Sequence, residues 1–258
     1  MRFVETEKRA PLSRRVTGAE WATRVDLAAC YRIAAHFRMT DLIYTHISAR
    51  VPDADGHFLI NAYGLLFDEI TASNLVKVTQ AGEVIEDETG LGINPAGYVI
   101  HSAIHAARDD VGCVMHTHTG AGLAVAAQQQ GLLPLTQHAM RFAGCLSYHD
   151  YEGIALDLPE QQRLVRDLGT RNAMILRNHG LLTCGATVRE AFDLMYYLER
   201  ACQAQVGAMA AGAELVVPPP AVAQKVARQF ARPGRTAPET GWAALLRMLD
   251  RADPSYRT

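Results

Sequence analysis

His116 and His118 stand either side of Thr117 at the end of an apolar run, Val111–Met115. Side chains two residues apart on a strand point to the same face. A strand ending here presents two imidazoles side by side, able to reach one divalent ion at about 2.0–2.1 Å. Two neutral surface histidines would give the same pattern. His179 lies in Arg177-Asn178-His179-Gly180, a tight connection between two more apolar runs. It is either a turn histidine that satisfies backbone carbonyls or a third nitrogen brought alongside by sheet pairing. Three neutral imidazoles with an open position form a catalytic metal arrangement. His101 and His105 are four apart on a helical stretch, a spacing that would suit a metal in isolation. They lie on or beside its apolar face, which assigns them to core packing or to a place behind the metal ligands. His138 follows Pro134 in a loop, and His46 falls in a strand just after Tyr44-Thr45. His36, His57 and His149 have no partner visible in the sequence.

The elements around these residues can be read from periodicity. Trp21, Val25, Leu27, Ala28, Tyr31, Ile33, Ala34 and Phe37 recur at helical spacing and predict an amphipathic helix over 19–37. Leu42–Val51 is rich in β-branched and aromatic residues and reads as a strand. Pro52, Asp53, Asp55 and Gly56 form a turn before a second strand at His57–Asn61, a hairpin signal. A short strand follows near Leu75–Val78, then a helix over 96–108 and the histidine-bearing strand. An alanine-rich helix covers 120–128, a strand 146–149, and a charged helix 158–168. Strands at 173–176 and 181–184 flank His179. A long helix runs from Thr187, its capping candidate with Glu190 three residues on, to Ala211. Three consecutive prolines at 218–220 end it, and two amphipathic helices at 221–231 and 240–250 complete the chain. Hairpins interleaved with helices imply a layered α/β domain with a largely antiparallel sheet. Residues 1–18 read as a loose arm, 19–215 as the main domain and 216–258 as a C-terminal helical extension.

Composition removes several function classes. The 258 residues hold 25 Lys+Arg against 27 Asp+Glu, a formal net charge of −2, so no general electrostatic footprint for nucleic acid exists. No stretch approaches the roughly 18 apolar residues of a membrane span, and the first sixteen residues lack the apolar core of a secretory signal. The five cysteines are scattered, with no Cys-x-x-Cys pair, and read as small buried hydrophobes in a reducing, cytoplasmic setting.

Taken in order, five stretches resemble the class II aldolase/adducin family. They are Ile43-Tyr44-Thr45-His46-Ile47-Ser48-Ala49-Arg50, Phe58-Leu59-Ile60-Asn61-Ala62-Tyr63-Gly64-Leu65-Leu66, Asn94-Pro95-Ala96-Gly97-Tyr98 with His101, His116-Thr117-His118, and Arg177-Asn178-His179-Gly180. Together they span about 20–211. The resemblance implies a three-layer αβα sandwich with a central, mainly antiparallel sheet. It implies one divalent metal ion held by His116, His118 and His179, zinc first among zinc, iron, manganese, cobalt and nickel. It also implies a small-molecule substrate and a homotetramer with active sites between subunits. The aldolases carry an acid/base glutamate where this chain has Gly97. Their phosphate-binding loops align with Thr45-His46 and Tyr63-Gly64, where most phosphate donors are missing here. A tyrosine that one aldolase subunit lends to its neighbour aligns approximately with His138. The resemblance therefore runs toward the adducin-like branch. It makes His138 and Tyr63 the expected catalytic groups, and His46, Asn61, Gly64 and Gly97 the expected substrate contacts.

Three functions follow as expectations. The first is a metal-dependent lyase that breaks a C–C bond, by aldol-type or decarboxylative chemistry, in a non-phosphorylated oxo-acid or hydroxy-carbonyl compound. The second keeps the three histidines for a non-haem Fe(II) oxygenase or oxidative decarboxylase acting on an aromatic or oxo acid, which would not need the missing glutamate. The third is a non-catalytic adducin-like interaction module.

Overall fold

Helix α1 (Gly18–His36) begins at a capping residue: the Thr17 side chain accepts from the Glu20 backbone N–H at 3.1 Å. That bond satisfies one of the donors a helix start leaves open. The computed structural model describes residues 10–153, 158–232 and 237–258. The expected hairpin follows as β1 (His46–Arg50) and β2 (His57–Asn61), antiparallel with Ala49 opposite Leu59. Next come β3 (Leu75–Thr79), β4 (Val84–Glu86), α2 (Pro95–Ala107), β5 (Cys113–Thr117), α3 (Gly120–Ala126) and α4 (Gln137–Met140). The chain continues with β6 (Leu146–His149), α5 (Leu158–Leu168), β7 (Ala173–Leu176), β8 (Gly180–Gly185), α6 (Val188–Ala210), α7 (Pro220–Phe230) and α8 (Ala237–Ala252). The strands form one sheet in the order β4-β3-β2-β1-β5-β8-β7-β6, antiparallel throughout except for the β6–β7 pair.

The period of two along each strand sorts the helices into layers. Ile47, Ala49, Cys113, Met115, Ile175 and Leu181 pack into one core with Leu27 and Tyr31 of α1, Met195 and Leu198 of α6, and Trp242 of α8. Val114, Met174, Leu176, Leu182 and Cys184 face the other way, against Ile100 and Ile104 of α2 and Leu164 and Leu168 of α5. The result is the three-layer αβα sandwich with a mainly antiparallel sheet that the sequence implied.

Several boundaries differ from expectation. The first strand begins at His46 rather than Leu42. Leu42 and Thr45 adopt left-handed backbone conformations, φ 49° and 68°, which a pleated strand excludes. The histidine-bearing strand runs two residues further, so His116 lies inside β5 instead of leaving it. β4 and α4 were not expected. In the N-terminal segment, residues 1–9 lie outside the described residues, but residues 10–17 are docked. Leu12 is buried, and Arg15 pairs with Glu86 and Glu88 at 2.6 Å each. Thr187 caps α6 as expected, accepting from Glu190 N at 3.3 Å, while the Glu190 carboxylate reaches back to Ala186 N rather than to Thr187. The last helix, α8, joins the main core: Trp242 and Leu249 are buried in it, and beyond it the Ala72 N–H donates to the Tyr256 carbonyl at 2.9 Å.

Candidate metal centre

His46 and His116 are register partners across β1 and β5, and Ser48 pairs with Val114. His116, His46 and Ser48 therefore share the face of the sheet that looks toward α2. The β7–β8 connection brings His179 over the same spot. Asn178 takes a left-handed conformation, φ 56°, and the His179 N–H closes the turn on the Leu176 carbonyl at 3.1 Å. Gly180 is required by close approach. A Cβ there would run into the Thr117 carbonyl and lie 3.1 Å from His118 Cδ2 and 3.4 Å from His116 Cε1. Any side chain at 180 would push β8 off the two histidines.

The ligand nitrogens of His116, His118 and His179 lie within 4.8 Å of one another. His116 Nδ1 is 2.9 Å from the Leu181 carbonyl oxygen. His118 Nδ1 is 3.0 Å from Asp41 Oδ2. Both partners are acceptors, so each ring carries its proton on Nδ1. The two Nε2 atoms then face each other at 2.9 Å with bare lone pairs. Two lone pairs at that distance repel, and a cation between them removes the repulsion. Two nitrogens on one tetrahedral zinc ion stand about 3.3 Å apart, a few tenths of an ångström from what is seen. The donor set fits a divalent ion. Burial, then the neighbouring histidines, hold His116 well below the ordinary histidine pKa, and burial with His118 lowers His179 to about 4. Neutral rings are the form that binds metal.

The other expected site residues divide. His46 is buried beside the three, its ring centroid 5.2 Å from that of His116. Gly97, on the first turn of α2, lies against His46. Tyr63 is half-buried just past β2, its N–H bonded to the Gly92 carbonyl at 2.9 Å, and Gly64 beside it is exposed with φ 101°. Asn61 faces α1, on the opposite side of the sheet from His116, and its side-chain oxygen accepts from the Tyr31 hydroxyl at 2.9 Å. His138 packs on Tyr197 of α6, with ring centroids 4.9 Å apart, also on the α6 side rather than in the three-histidine group. His101 and His105 are buried on α2, as expected from their place on its inner face.

Asp41 was missed. It lies between the expected helix and the segment read as strand, in a loop whose Arg38, Leu42 and Thr45 all have positive φ. Left-handed conformations in non-glycine residues are costly and cluster at functional sites. Here the loop delivers a carboxylate to a ring nitrogen of His118, which fixes that ring's tautomer and orientation. His149 was read as ordinary. It is buried, bonds Asp167 at 2.7 Å and contributes to the field on His179.

A sequence model described as the Class II Aldolase and Adducin N-terminal domain matches residues 25–206. The chain belongs to the class II aldolase and adducin family. An aldolase II superfamily protein from Pseudomonas syringae is 57% identical, with 96% of this chain and 99% of that one aligned at a TM-score of 0.93. An L-fuculose 1-phosphate aldolase from Glaciozyma antarctica is 28% identical over 93% of each chain, at a TM-score of 0.81. Alpha-adducin of Rattus norvegicus is 42% identical over 91% of this chain but only 34% of its own length. The family thus includes relatives named for an aldolase activity and relatives named as adducins. Among the described residues, no helix is long and apolar enough to cross a membrane.

Proposed function

We propose that this family member is a divalent-metal-dependent lyase that cleaves a C–C bond in a non-phosphorylated oxo-acid or hydroxy-carbonyl compound. The observation that supports it most is the pair of Nε2 atoms of His116 and His118. They are 2.9 Å apart, with both Nδ1 atoms already engaged. His116, His118 and His179 would hold the ion, and zinc suits three imidazoles best, with iron, manganese, cobalt or nickel as the other candidates. Such an ion supplies Lewis acidity toward a carbonyl and an adjacent hydroxyl, favouring the charge left when the C–C bond breaks. The Leu181 carbonyl and Asp41 hold two of the rings in the binding tautomer. Tyr63, at the loop after β2, is the candidate proton-moving group from this chain. His138 lies on the other layer and serves only if a second copy, in a tetramer with sites between subunits, presents it. Phosphate is not the recognised group, because the loop positions that would bind it are Thr45-His46 and Tyr63-Gly64.

The test is elemental analysis of protein purified without added metal, followed by assay on a panel of oxo acids and hydroxy-carbonyl compounds. About one equivalent of metal, with turnover lost in His116→Ala, supports the proposal. A metal-free protein, or unchanged turnover in His116→Ala, defeats it. The glycine at position 97, where the aldolases place a carboxylate, favours a second reading. In that reading the same histidines hold Fe(II) in an oxygenase, or the adducin-like fold acts as an interaction module without catalysis. Substrate-dependent O₂ uptake with Fe(II) would separate the oxygenase from the lyase, and an empty metal site would favour the module.

A further inference from the structure

The missing carboxylate leaves a question that the packing around Gly97 answers. A Cβ at position 97 would lie 2.6 Å from His46 Nε2 and 2.9 Å from His46 Cγ. The His46 ring occupies the volume that a residue-97 side chain would need. It enters from β1 instead of α2, and it abuts the same three histidines.

His46 does not stand alone. Its Nδ1 is 2.7 Å from His101 Nε2. His101 Nδ1 is 2.5 Å from Ser48 Oγ, and Ser48 Oγ is 2.8 Å from His105 Nε2. All four side chains are buried, none more than 6% exposed. None of the three rings bonds a carboxylate, and a buried imidazolium without one is too costly, so each ring is neutral and holds one N–H. With one proton per link, only two arrangements satisfy the line. Either every proton points from His46 toward His105, or every proton points back. The far end decides between them. His105 Nδ1 is buried without a partner at full hydrogen-bond geometry, and the nearby Val111 backbone favours a proton on this ring. With Nδ1 protonated, His105 Nε2 accepts from Ser48. Ser48 then accepts from His101 Nδ1–H, and His101 Nε2 accepts from His46 Nδ1–H. His46 Nε2 is left with its lone pair.

We propose that His46 Nε2 accepts a hydrogen bond from a hydroxyl group of the substrate. His46 thereby takes over, from β1, the orienting place that a side chain at position 97 would hold. The inference rests on reading the three histidines as a metal centre and takes the hydroxy-carbonyl branch of that reading. It adds the substrate feature recognised there, a free hydroxyl beside the group that meets the metal.

Two measurements test it. In metal-free protein labelled with ¹⁵N-histidine, long-range ¹H–¹⁵N couplings should place the His46 proton on Nδ1. A proton on Nε2 would overturn the proposal without any substitution being made. In zinc-loaded protein, the probes are glycolate and methoxyacetate, which differ in the hydroxyl proton. The wild-type preference for glycolate should fall about tenfold in His46→Asn, which keeps the reach to His101 but lacks Nε2; tenfold corresponds to about 1.4 kcal/mol. His46→Gln, whose oxygen reaches the Nε2 position, should restore most of the preference. Zinc content should stay at the wild-type level in both variants. An undiminished preference in zinc-loaded His46→Asn overturns the proposal alone. A wild-type protein that holds no zinc or other divalent ion overturns the lyase reading, and this proposal with it.

Discussion

The buried line behind His46 makes the fold sensitive to acid, and His105 allows the size of that effect to be worked out. The ring is 1% exposed, and burial together with the nearby Arg50 cation pushes its pKa to about 3 from an ordinary 6.5. A histidine whose folded pKa is depressed contributes stability that is intact above the unfolded pKa. That stability is lost as pH falls from about 6.5 toward 3, because the unfolded chain takes up a proton the folded chain refuses. At pH 5 the loss is about 1.5 pH units at about 1.4 kcal/mol each, or roughly 2 kcal/mol from this ring alone. The perturbation that isolates it is His105→Gln, which keeps an acceptor or donor for Ser48 and does not titrate. Urea unfolding of metal-free protein, followed by circular dichroism at pH 7.5, 6, 5.5 and 5, gives stability against pH for both proteins. Below pH 6 the wild-type slope should exceed the variant's by about one proton, so the two curves converge as the buffer is acidified. Parallel curves would refute the assignment of His105 as a ring kept neutral by burial. A wild-type protein that gains stability on acidification in this window would refute the sign as well.

Three further outcomes follow from the same structure. Asp41→Asn should weaken zinc binding by about 10- to 100-fold, as loss of a carboxylate behind a ligating histidine does, with the fold unchanged by circular dichroism; competition with a fluorescent chelator measures it, and an unchanged affinity removes Asp41 from the site. Adding zinc to 100 times its dissociation constant should raise the unfolding free energy by about 2.7 kcal/mol, reversed by chelation and absent in His179→Ala; calorimetry with and without chelator reads this directly. Tyr31→Phe should cost about 1–3 kcal/mol in urea unfolding. The Tyr31 hydroxyl bonds the Ile47 carbonyl at 2.5 Å and Asn61 Oδ1 at 2.9 Å, tying α1 to β1 and β2. A cost below a few tenths of a kcal/mol would show that the knot is replaced by water.

What the sequence makes legible here is what repeats locally. Alternation along β5 places His116 and Val114 on one face with Met115 on the other, and the apolar runs either side of His179 announce the hairpin that carries it. The helix over α6 announces itself by period and cap. What stays hidden is complementarity between distant segments and backbone geometry that residue type does not signal. Thr45 belongs to a residue class that favours strands and Leu42 carries no turn signal, so their left-handed conformations, and the loop that aims Asp41 at His118, leave no local mark. The pairing of His46 with Gly97 is hidden in a different way. Read one position at a time, Gly97 is a lost carboxylate and His46 a strand residue that only the family resemblance places near the substrate. Only the register of β1 on β5, with α2 packed across it, shows that one side chain is absent because another fills its volume. A Cβ on residue 97 would displace His46, and with it the line through His101 and Ser48, so the glycine and the histidine can be exchanged only together. Gly97→Ala should therefore disturb His101 and His105 as well as His46, and a change in all three rings' NMR signals from a single added methyl group is the result that this coupling demands.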